Sequence, residues 1–588
     1  MDSKHVTEST SGQEDIQKTW WKEAIIYQIY PRSFQDSDGD GIGDLNGITS
    51  RLDYIQSLGV DIIWLNPIFL SPNDDNGYDI SDYREIMREF GTMEDFDRLL
   101  KEIHKREMRL VLDLVVNHTS DEHPWFEEAR KSRHNPYYNY YHWWPAEKGE
   151  PPLRLSYFDE EGNAWTYNKS TDSYYLHYFS RKQPDLNWEN PEVRQEIFDM
   201  MRFWFDKGID GFRMDSISLI AKDPSFPLID SKKYPDIFSF YAKEPRLHLY
   251  LHEMNRQVLS KYDCMSVGEG SAVMVDDVAK FVDPAREELN MLYHFDAARI
   301  RNTTLPDNPE SGIDYSLIAL KKMFTEWDKA VDKGWPSIYL SNHDQPRMVS
   351  RFGSDKDEFR ALSTKMLITF LLTMRGTPYW FAGDEIGMRN IRFDRIEDYN
   401  DIDTINRYKK AKAEGKDPQA VLDEQKETGR DNARTPFQWD RSPEAGFTAG
   451  TPWLKVNPDY TWINVADEEK DPTSILNYFK KVVSFRKENP SLIYGSYHLL
   501  DAENPQSYTF LRKTGADTYL IMLNFSPKAA ISTPGIDMSN AHVLLDNYGD
   551  RSHMAPQKDI TLRPFEAIVF QLNHPVYESF IDSLDLLE

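Results

Sequence analysis

Short apolar runs alternate with longer amphipathic stretches from Trp20 to about residue 495, and this alternation predicts strands and helices in turn. Helical periodicity is clearest in Met93–Arg106 and Pro191–Lys207. The runs typical of strands are Ala24–Tyr30, Asp61–Leu65, Arg109–Val115, Gly211–Met214, Met265–Val267, Leu292–Phe295, Ser337–Leu340 and Thr377–Phe381. Eight strands separated by helices predict the α/β class and, within it, a (β/α)8 TIM barrel.

Two interruptions of this alternation predict further domains. The gap between His118 and Arg213 is rich in aromatic residues and too long for a loop, which predicts a subdomain inserted after the third strand. From Ser496 onward, polar and apolar residues alternate between turns, which predicts a C-terminal antiparallel β-domain. The highly charged segment Lys409–Glu427 predicts a solvated helix. The expected domains are a disordered tail at 1–18, the barrel at 19–119 and 190–495, the inserted subdomain at 120–189 and a β-sandwich-like domain at 496–588.

The charge balance limits the partners of the chain. Its 588 residues include 97 acidic and 69 basic ones, which gives a net charge of −28. Nucleic acids and anionic membrane surfaces would repel such a chain, so neither is an expected partner. No apolar run reaches the roughly 18 residues of a membrane span. The polar N-terminus also has no apolar signal core, so a cytoplasmic protein is expected.

Ionisable side chains stand at or just past the ends of four predicted strands. The segments are Asp113–His118, Gly211–Asp215, Met265–Glu269 and Ser341–Asp344. In a parallel barrel these strand ends meet on one face. They would bring together three carboxylates, one arginine and two histidines: Asp215, Glu269, Asp344, Arg213, His118 and His343. Such a set suits the acid-assisted cleavage of a glycosidic bond.

The order of these side chains predicts a role for each carboxylate. Arg213 and Asp215 alternate along one strand and share a face, where the cation favours the ionised form that a nucleophile requires. Glu269 follows a glycine that leaves room for a substrate, and we expect it to keep its proton and act as general acid. Asp344 and His343 are expected to hydrogen-bond sugar hydroxyls. Two alternatives stay open, namely a structural salt bridge for the first pair and an ordinary loop carboxylate for Glu269.

A separate acidic loop, Asp36–Asp44, predicts a metal site. Its aspartates at positions 1, 3, 5 and 9, with glycine at position 6, follow the calcium loop of the EF-hand. Position 12 is Gly47, where that loop supplies a glutamate, and a predicted strand precedes the segment instead of a helix. The loop therefore predicts one structural Ca²⁺ rather than a calcium sensor, and the alternative is an acidic turn. The expected ligands are Asp36, Asp38, Asp40, Ile42 through its carbonyl, and Asp44.

Five longer motifs resemble those of one family. They are Gln28–Phe34, Asp74–Asp79, Gln183–Trp188, Asn342–Arg347 and Arg430–Pro436. From Trp21 to about Asp440 the chain is similar to the α-amylase superfamily of retaining glycoside hydrolases. Within that superfamily it resembles the oligo-1,6-glucosidase and α-glucosidase (maltase, isomaltase) subgroup.

The resemblance implies a function for each motif. Asp215 would be the nucleophile, Glu269 the acid/base and Asp344 the transition-state stabiliser. In this family the Asp75–Arg430 side of the pocket closes over the terminal sugar, which makes cleavage exo-acting, and the Ca²⁺ loop falls on the residues named above. The partner would be a short oligosaccharide or disaccharide. The implied substrate-binding residues are Asp75, Tyr78, His118, Phe179, Gln183, Arg213, Ser216, His343, Arg430 and Arg434.

Three departures from the family pattern affect specificity. Ser216 follows the nucleophile, where members similar to oligo-1,6-glucosidase usually carry Val and α-1,4-preferring members a small residue. Sucrose isomerases of this group carry an Arg-Leu-Asp-Arg-Asp run, where this chain has Arg299–Asn302. Gly270–Ser271 follows the acid and leaves the acceptor side of the pocket open to different preferences.

The leading hypothesis is an exo-acting retaining α-glucosidase that prefers the α-1,4 links of short α-glucosides such as maltose. Its alternatives are an oligo-1,6-glucosidase and a sucrose isomerase or transglucosidase. A third alternative is a non-catalytic relative of the transporter heavy-chain type. Such relatives lose catalytic carboxylates and add a membrane span, whereas this chain keeps Asp215, Glu269 and Asp344 and has no long apolar run.

Overall fold

The central element of the fold is a sheet of eight parallel strands. A computed structural model describes residues 18–158, 162–515, 517–538, 541–551 and 558–572. Within them, the strands are Ile26–Ile29, Ile62–Leu65, Arg109–Val115, Gly211–Asp215, Met265–Glu269, Met291–Tyr293, Ser337–Ile338 and Thr377–Phe381. Each overlaps one predicted strand and differs from it only at its ends. Apart from Lys18, the predicted tail lies outside the described residues.

The eight strands close into a barrel. They follow chain order around the sheet, and the first strand pairs with the second and the eighth, so that Ile26 lies opposite both Ile62 and Tyr379. Between the sixth and seventh strands, the Ser337 hydroxyl donates a hydrogen bond to the Leu292 carbonyl (3.0 Å). Apolar and aromatic side chains fill the interior, as expected for a barrel of this size. The prediction of a TIM barrel is confirmed.

The helices between these strands begin and end at capping residues. Helix Met93–Lys105 begins after Thr92, whose hydroxyl and N–H exchange hydrogen bonds with Asp95. Helix Pro191–Lys207 has proline at its first position and ends at the left-handed Gly208. Both match the predicted helices within one residue. The other main helices are Leu45–Ser50, Leu52–Ser57, Arg246–Gln257, Asp296–Thr303, Leu317–Ala330, Arg360–Thr373, Ile402–Ala413, Pro418–Thr428 and Ile475–Glu488.

The charged segment Lys409–Glu427 is not one continuous helix, which corrects the prediction made for it. It contains the end of helix Ile402–Ala413 and most of helix Pro418–Thr428. Gly415, between the two, has a φ of +70°, a conformation that ends a right-handed helix. Among the described residues, no helix is long and apolar enough to cross a membrane.

A small antiparallel sheet lies in the segment predicted to be an inserted subdomain. Its strands are Trp143–Pro145, Trp165–Asn168 and Ser173–Leu176, and the last of these lies between the other two. A backbone bridge from His118 to Asp185, and a hydrogen bond from the Leu186 N–H to the Asn117 carbonyl (2.9 Å), attach this part of the chain to the end of the third barrel strand. The attachment brings the insertion to the carboxyl end of the barrel.

The C-terminal part of the chain is antiparallel, as predicted. One sheet contains Ser496–Leu500, Ser507–Thr514, Asp517–Asn524, His542–Asp546 and Ala567–Leu572, and Ala530–Ser532 pairs separately with Ile560–Leu562. The buried Arg512 donates hydrogen bonds to the carbonyls of Thr373 and Leu492, which fastens the sheet to the barrel helices. Residues 573–588 lie outside the described residues. The domain boundaries themselves stay predictions.

Candidate active site

A cavity of about 270 Å³ opens at the carboxyl ends of the barrel strands. Asp215 and Glu269 are the last residues of the fourth and fifth strands, and Asp344 follows the seventh. All three line the cavity. They share it with seven of the predicted substrate-binding residues: Asp75, Tyr78, His118, Phe179, Ser216, His343 and Arg430. In essentially every characterised TIM-barrel enzyme, the active site lies at this end of the barrel.

Three predicted substrate-binding residues do not line the cavity: Gln183, Arg213 and Arg434. Each is buried and bonds to a residue that does line it. Nε2 of Gln183 donates to the carboxylate of Asp75 (3.2 Å), and Nη2 of Arg434 donates to that of Asp344 (3.1 Å). These side chains position groups that face the cavity, and their role in binding substrate stays a prediction.

Arg213 holds the carboxylates of both Asp215 and Glu269. Its fully buried guanidinium donates from Nη1 to Asp215 (2.8 Å) and Asp113 (2.7 Å), and from Nη2 to Glu269. Its Nε donates to the hydroxyl of Tyr293 (2.8 Å). A planar fork of donors therefore fixes the two carboxylates relative to each other. Asp113 and Tyr293 belong to this network but were not among the predicted site residues.

Burial raises the pKa of both Asp215 and Glu269, and it raises that of Glu269 further. The pKa of Glu269 reaches about 8, because burial outweighs the positive charge of Arg213 and the negative charge of Asp215 adds to the effect of burial. Burial raises the pKa of Asp215 only to about 6, again against Arg213. Near pH 7 Asp215 is therefore mostly ionised and Glu269 mostly protonated, the states that a nucleophile and a general acid require. The charge of Arg213 lowers the pKa of Asp215, the direction predicted from the sequence, although the opposing effect of burial is larger.

Asp344 is kept ionised by its surroundings. Burial alone would raise its pKa, but His343, Arg430 and Arg434 together hold that pKa well below its ordinary value. Its carboxylate lies 3.1 Å from Nε2 of His343, 3.3 Å from Nη1 of Arg430 and 3.1 Å from Nη2 of Arg434. A carboxylate held in this state suits a group that stabilises positive charge on a sugar ring.

The two histidines of the cavity are neutral. Burial lowers the pKa of His343 well below its ordinary value and that of His118 to about 3. The amide nitrogen of Gln28 donates to Nδ1 of His343 (2.9 Å), so the ring hydrogen of His343 is on Nε2 and points at Asp344. Nε2 of His118 lies 3.0 Å from the carbonyl of Tyr78, whose ring stacks on His343 at 5.2 Å.

Arg430 ties together three carboxylates at one side of the cavity. Its Nη2 donates to Asp75 (3.3 Å), its Nη1 to Asp344 (3.3 Å) and its Nε to Asp401 (2.7 Å). The ring of Phe158, from the insertion, lies 4.8 Å from the guanidinium. Contacts from several loops therefore hold Arg430 in place.

Ser216 has a strained backbone directly after the predicted nucleophile. Its φ of +44° and ψ of +29° place it in the left-handed region, which few residues other than glycine adopt. Its N–H donates to Oε2 of Glu269 (3.3 Å). Strain of this kind occurs at functional sites, where the surrounding structure maintains it.

Several cavity residues were not singled out as site residues from the sequence. The rule that site residues follow strand ends would have found Phe295, two residues after the sixth strand, and Gln345, which directly follows the predicted Asp344. Tyr157 and Phe158 come from the insertion, where no strand-end signal exists. The lining residues that no prediction named are Tyr157, Phe158, Phe295 and Gln345, whereas Ser271 and Arg299 stand in segments that the sequence tied to specificity.

The acidic loop brings three of its four aspartates together. Carboxylate oxygens of Asp36, Asp38 and Asp40 lie within 4.8 Å of one another, a spacing that fits a cation with oxygen ligands. The carboxylate of Asp44 does not join them; it accepts from the Ser37 hydroxyl (2.8 Å) and the Gly47 N–H (2.7 Å) and caps the next helix. Asp44 and the carbonyl of Ile42 as ligands stay predictions.

Gly47 explains why the loop departs from the EF-hand. A Cβ at this position would lie 1.9 Å from the carbonyl oxygen of Gln35. The glutamate that completes an EF-hand loop therefore cannot stand here.

Comparison with known proteins identifies the family. The family described as "Alpha amylase, catalytic domain" matches residues 28–495. An oligo-1,6-glucosidase from Parageobacillus thermoglucosidasius is 51% identical over 571 residues, covering 95% of this chain and 100% of that protein. One from Bacillus cereus is 49% identical over 567 residues, with the same coverage. The solved trehalulose synthase from Pseudomonas mesoacidophila MX-45 is 42% identical, with a TM-score of 0.89 and coverage of 94% of this chain and 99% of that chain. The chain therefore belongs to the α-amylase catalytic domain family of glycoside hydrolases.

Proposed function

We propose that this enzyme is an exo-acting, retaining α-glucosidase that releases glucose from the non-reducing end of short α-1,6-linked glucosides. The observation that carries the proposal is the carboxylate pair Asp215 and Glu269, which Arg213 holds side by side in one cavity and whose pKa burial raises to about 6 and about 8. The names of the two relatives that share about half of their residues with this chain support the α-1,6 link. The α-1,4 preference expected from the sequence has no such support.

The proposed reaction is a double displacement. The Asp215 carboxylate attacks C1 of the glucose while Glu269 gives its proton to the glycosidic oxygen, and the C1–O bond breaks. Glu269 then takes a proton from water, whose oxygen attacks C1 and releases Asp215. Asp344, which is ionised, stabilises the positive charge that the sugar ring develops in both steps. Two displacements at C1 retain the α configuration of the product.

Exo action is inferred from the ion pairs of Arg430 with Asp75 and Asp344. A cavity closed on one side admits the end of a chain but not its middle. With isomaltotriose, NMR is expected to detect free α-glucose first, together with isomaltose. A first product of inverted configuration would contradict the assignment of Asp215, and internal cleavage of longer chains would contradict exo action.

A sucrose isomerase is the second candidate, because a trehalulose synthase is among the structural neighbours. The sequence Arg299–Asn302 lacks the charged run expected of such isomerases. Product analysis on sucrose separates the two candidates. Glucose with fructose supports hydrolysis, whereas a rearranged disaccharide supports isomerisation.

Ser216→Val is expected to raise the preference for isomaltose over maltose about ten-fold. The wild-type enzyme is expected to cleave isomaltose faster, and Val would increase that ratio because a β-branched side chain narrows the space beside the reacting bond. The measurement is the ratio of kcat/KM for the two disaccharides. A ratio that does not move in Ser216→Val would show that this position does not set linkage preference.

Two further variants separate bulk from hydrogen bonding at position 216. Ser216→Thr adds the branch and keeps the hydroxyl, whereas Ser216→Ala removes the hydroxyl and adds no bulk. If the β-branch sets the ratio of kcat/KM for isomaltose and maltose, Ser216→Thr will change that ratio and Ser216→Ala will not. A β-branched residue is a backbone outlier at this positive φ, so Val and Thr are expected to lower stability relative to Ser. The ratio of kcat/KM for two substrates, measured on the same enzyme, does not depend on this loss of stability.

Calcium is proposed as a structural ion in the acidic loop, held by Asp36, Asp38 and Asp40. We expect EDTA to lower the Tm and added Ca²⁺ to restore it, because an ion that binds only the folded chain stabilises it by mass action. The double variant Asp38→Asn with Asp40→Asn should have a Tm that neither reagent changes. Asp276→Asn, at an exposed aspartate outside the loop, is the control. Equal Tm values in EDTA and Ca²⁺, with no metal by elemental analysis, would reject the site.

A further inference from the structure

Ser271, two residues after the proposed general acid, contacts that acid directly. Its Oγ lies 2.8 Å from Oε1 of Glu269, and both side chains line the cavity. The other oxygen, Oε2, accepts from Nη2 of Arg213 and from the N–H of Ser216 (3.3 Å). The two oxygens of Glu269 therefore have different partners.

The hydrogen-bond donors around Glu269 determine which oxygen carries its proton. The guanidinium of Arg213 and the backbone N–H of Ser216 can only donate, so Oε2 is an acceptor at both contacts. Oε1 meets the hydroxyl of Ser271, which can donate or accept. Oε1 is therefore the oxygen left free to carry the hydrogen of protonated Glu269. The oxygen that exchanges the proton is the one that Ser271 contacts.

The backbone around Ser271 is held by two barrel elements. Its carbonyl accepts from the hydroxyl of Ser218 (2.6 Å), in the turn after the fourth strand. The N–H of Gly270 donates to the carbonyl of Tyr293 (2.9 Å), at the end of the sixth strand. A Cβ on Gly270 would lie 2.8 Å from Leu292, so glycine permits this close approach. The backbone of Ser271 is therefore held at a fixed place beside the acid, from which its hydroxyl reaches Glu269.

We propose that Ser271 is a positioning residue whose hydroxyl holds Oε1 of Glu269 toward the substrate and so directs the transferable proton. This inference rests on the proposed glycosidase function. In the first step the proton passes from Oε1 to the glycosidic oxygen, which keeps the electron pair of the breaking C1–O bond while Asp215 bonds to C1. In the second step Oε1 takes a proton from water, whose oxygen displaces Asp215. The hydroxyl of Ser271 donates a hydrogen bond to Oε1 when that oxygen carries no proton.

The predicted pH effect follows from the groups that face Glu269. Burial raises the pKa of Glu269, and the Ser271 hydrogen bond is among the smaller effects that lower it. Removing a donor from the carboxylate favours the protonated form, so the pKa of Glu269 rises in Ser271→Ala. That substitution leaves the other charged and titratable groups facing Glu269 in place: Arg213, Asp215, Asp113, Asp344, Tyr157, Tyr293 and Tyr339.

The test compares Ser271→Ala with Ser271→Thr, which keeps a hydroxyl. For Ser271→Ala we expect kcat/KM on isomaltose to fall about 3- to 10-fold. In the plot of kcat/KM against pH, the basic limb of Ser271→Ala should shift to higher pH by about 0.5 pH units. On 4-nitrophenyl α-glucoside, whose leaving group needs little protonation, the loss should be about two-fold or less. Ser271→Thr should recover most of the wild-type profile, and Ser260→Ala, at an exposed serine, should match the wild type.

Equal losses on both substrates, or an unmoved basic limb in Ser271→Ala, would overturn the assignment. Infrared titration of the carboxyl band, taken as the difference between each enzyme and its Glu269→Gln counterpart, measures the same pKa shift without turnover. If the wild-type enzyme is inactive on every α-glucoside but Ser271→Ala shifts the infrared titration, the proposed function is rejected and the contact between Ser271 and Glu269 is supported. If the wild-type enzyme is active but Ser271→Ala shifts neither the basic limb nor the infrared titration, only the role of Ser271 is rejected.

Discussion

Asp215→Asn and Glu269→Gln are each expected to lower kcat on isomaltose by at least about 10³-fold. An amide at position 215 cannot form the covalent bond to C1, and an amide at position 269 cannot give a proton to the leaving oxygen. Both substitutions keep the shape of the side chain, so circular dichroism and Tm should show a folded protein. Glu127→Gln, at an exposed carboxylate away from the cavity, should keep full activity.

The two variants should differ from each other with α-glucosyl fluoride and azide. Fluoride leaves without protonation, so Glu269→Gln should still form the covalent intermediate, which azide then converts to the α-azide. In Asp215→Asn azide would attack C1 directly and give the β-azide. If Glu269→Gln loses as much activity on the fluoride as on isomaltose, Glu269 is not the acid.

Arg213→Met is expected to lower the free energy of unfolding by about 3–5 kcal/mol at pH 7. The substitution leaves Asp113, Asp215 and Glu269 buried without the cation that bonds to all three. Denaturant unfolding at several pH values provides the measurement. Arg441→Met, which removes an exposed arginine paired with Asp467, should cost about 1 kcal/mol or less.

The decrease in the free energy of unfolding caused by Arg213→Met should become smaller as the pH falls from 7.5 to 5. Arg213 opposes the effect of burial on the pKa of Asp113 and of Asp215, so both pKa values rise further when it is removed. The native variant then binds protons that its unfolded chain does not, and its stability increases as the pH falls through the raised pKa values. A loss below about 1 kcal/mol, or one that is independent of pH, would show that Arg213 does not compensate these charges.

The barrel and the carboxylates that line its cavity could be predicted because their signals are local. A strand such as Arg109–Val115 is an apolar run between turns, and Asp215 and Glu269 interrupt such runs at their ends. The ends of short strands were less predictable. Ser337–Ile338 stops two residues before the predicted Leu340, although Tyr339 and Leu340 stay apolar and buried.

The rest of the site depends on contacts that no local pattern encodes. Asp113 stands in the middle of an apolar strand, and its role follows only from the register that places it opposite Arg213 on the next strand. Phe158 lies beside Arg430, about 270 residues later, because the insertion folds back over the barrel. Neither contact follows from the spacing of residues along the chain, since each is set by tertiary packing.

The first barrel strand, Ile26–Ile29, pairs on one side with the eighth, Thr377–Phe381. During translation at about 5–20 residues per second, the roughly 350 residues between them take about 20–70 s to make. For that time the first strand has an open edge, and open edges pair with other chains. We therefore expect the emerging polypeptide to aggregate with its neighbours on crowded polysomes unless a chaperone covers this edge until the eighth strand has left the ribosome.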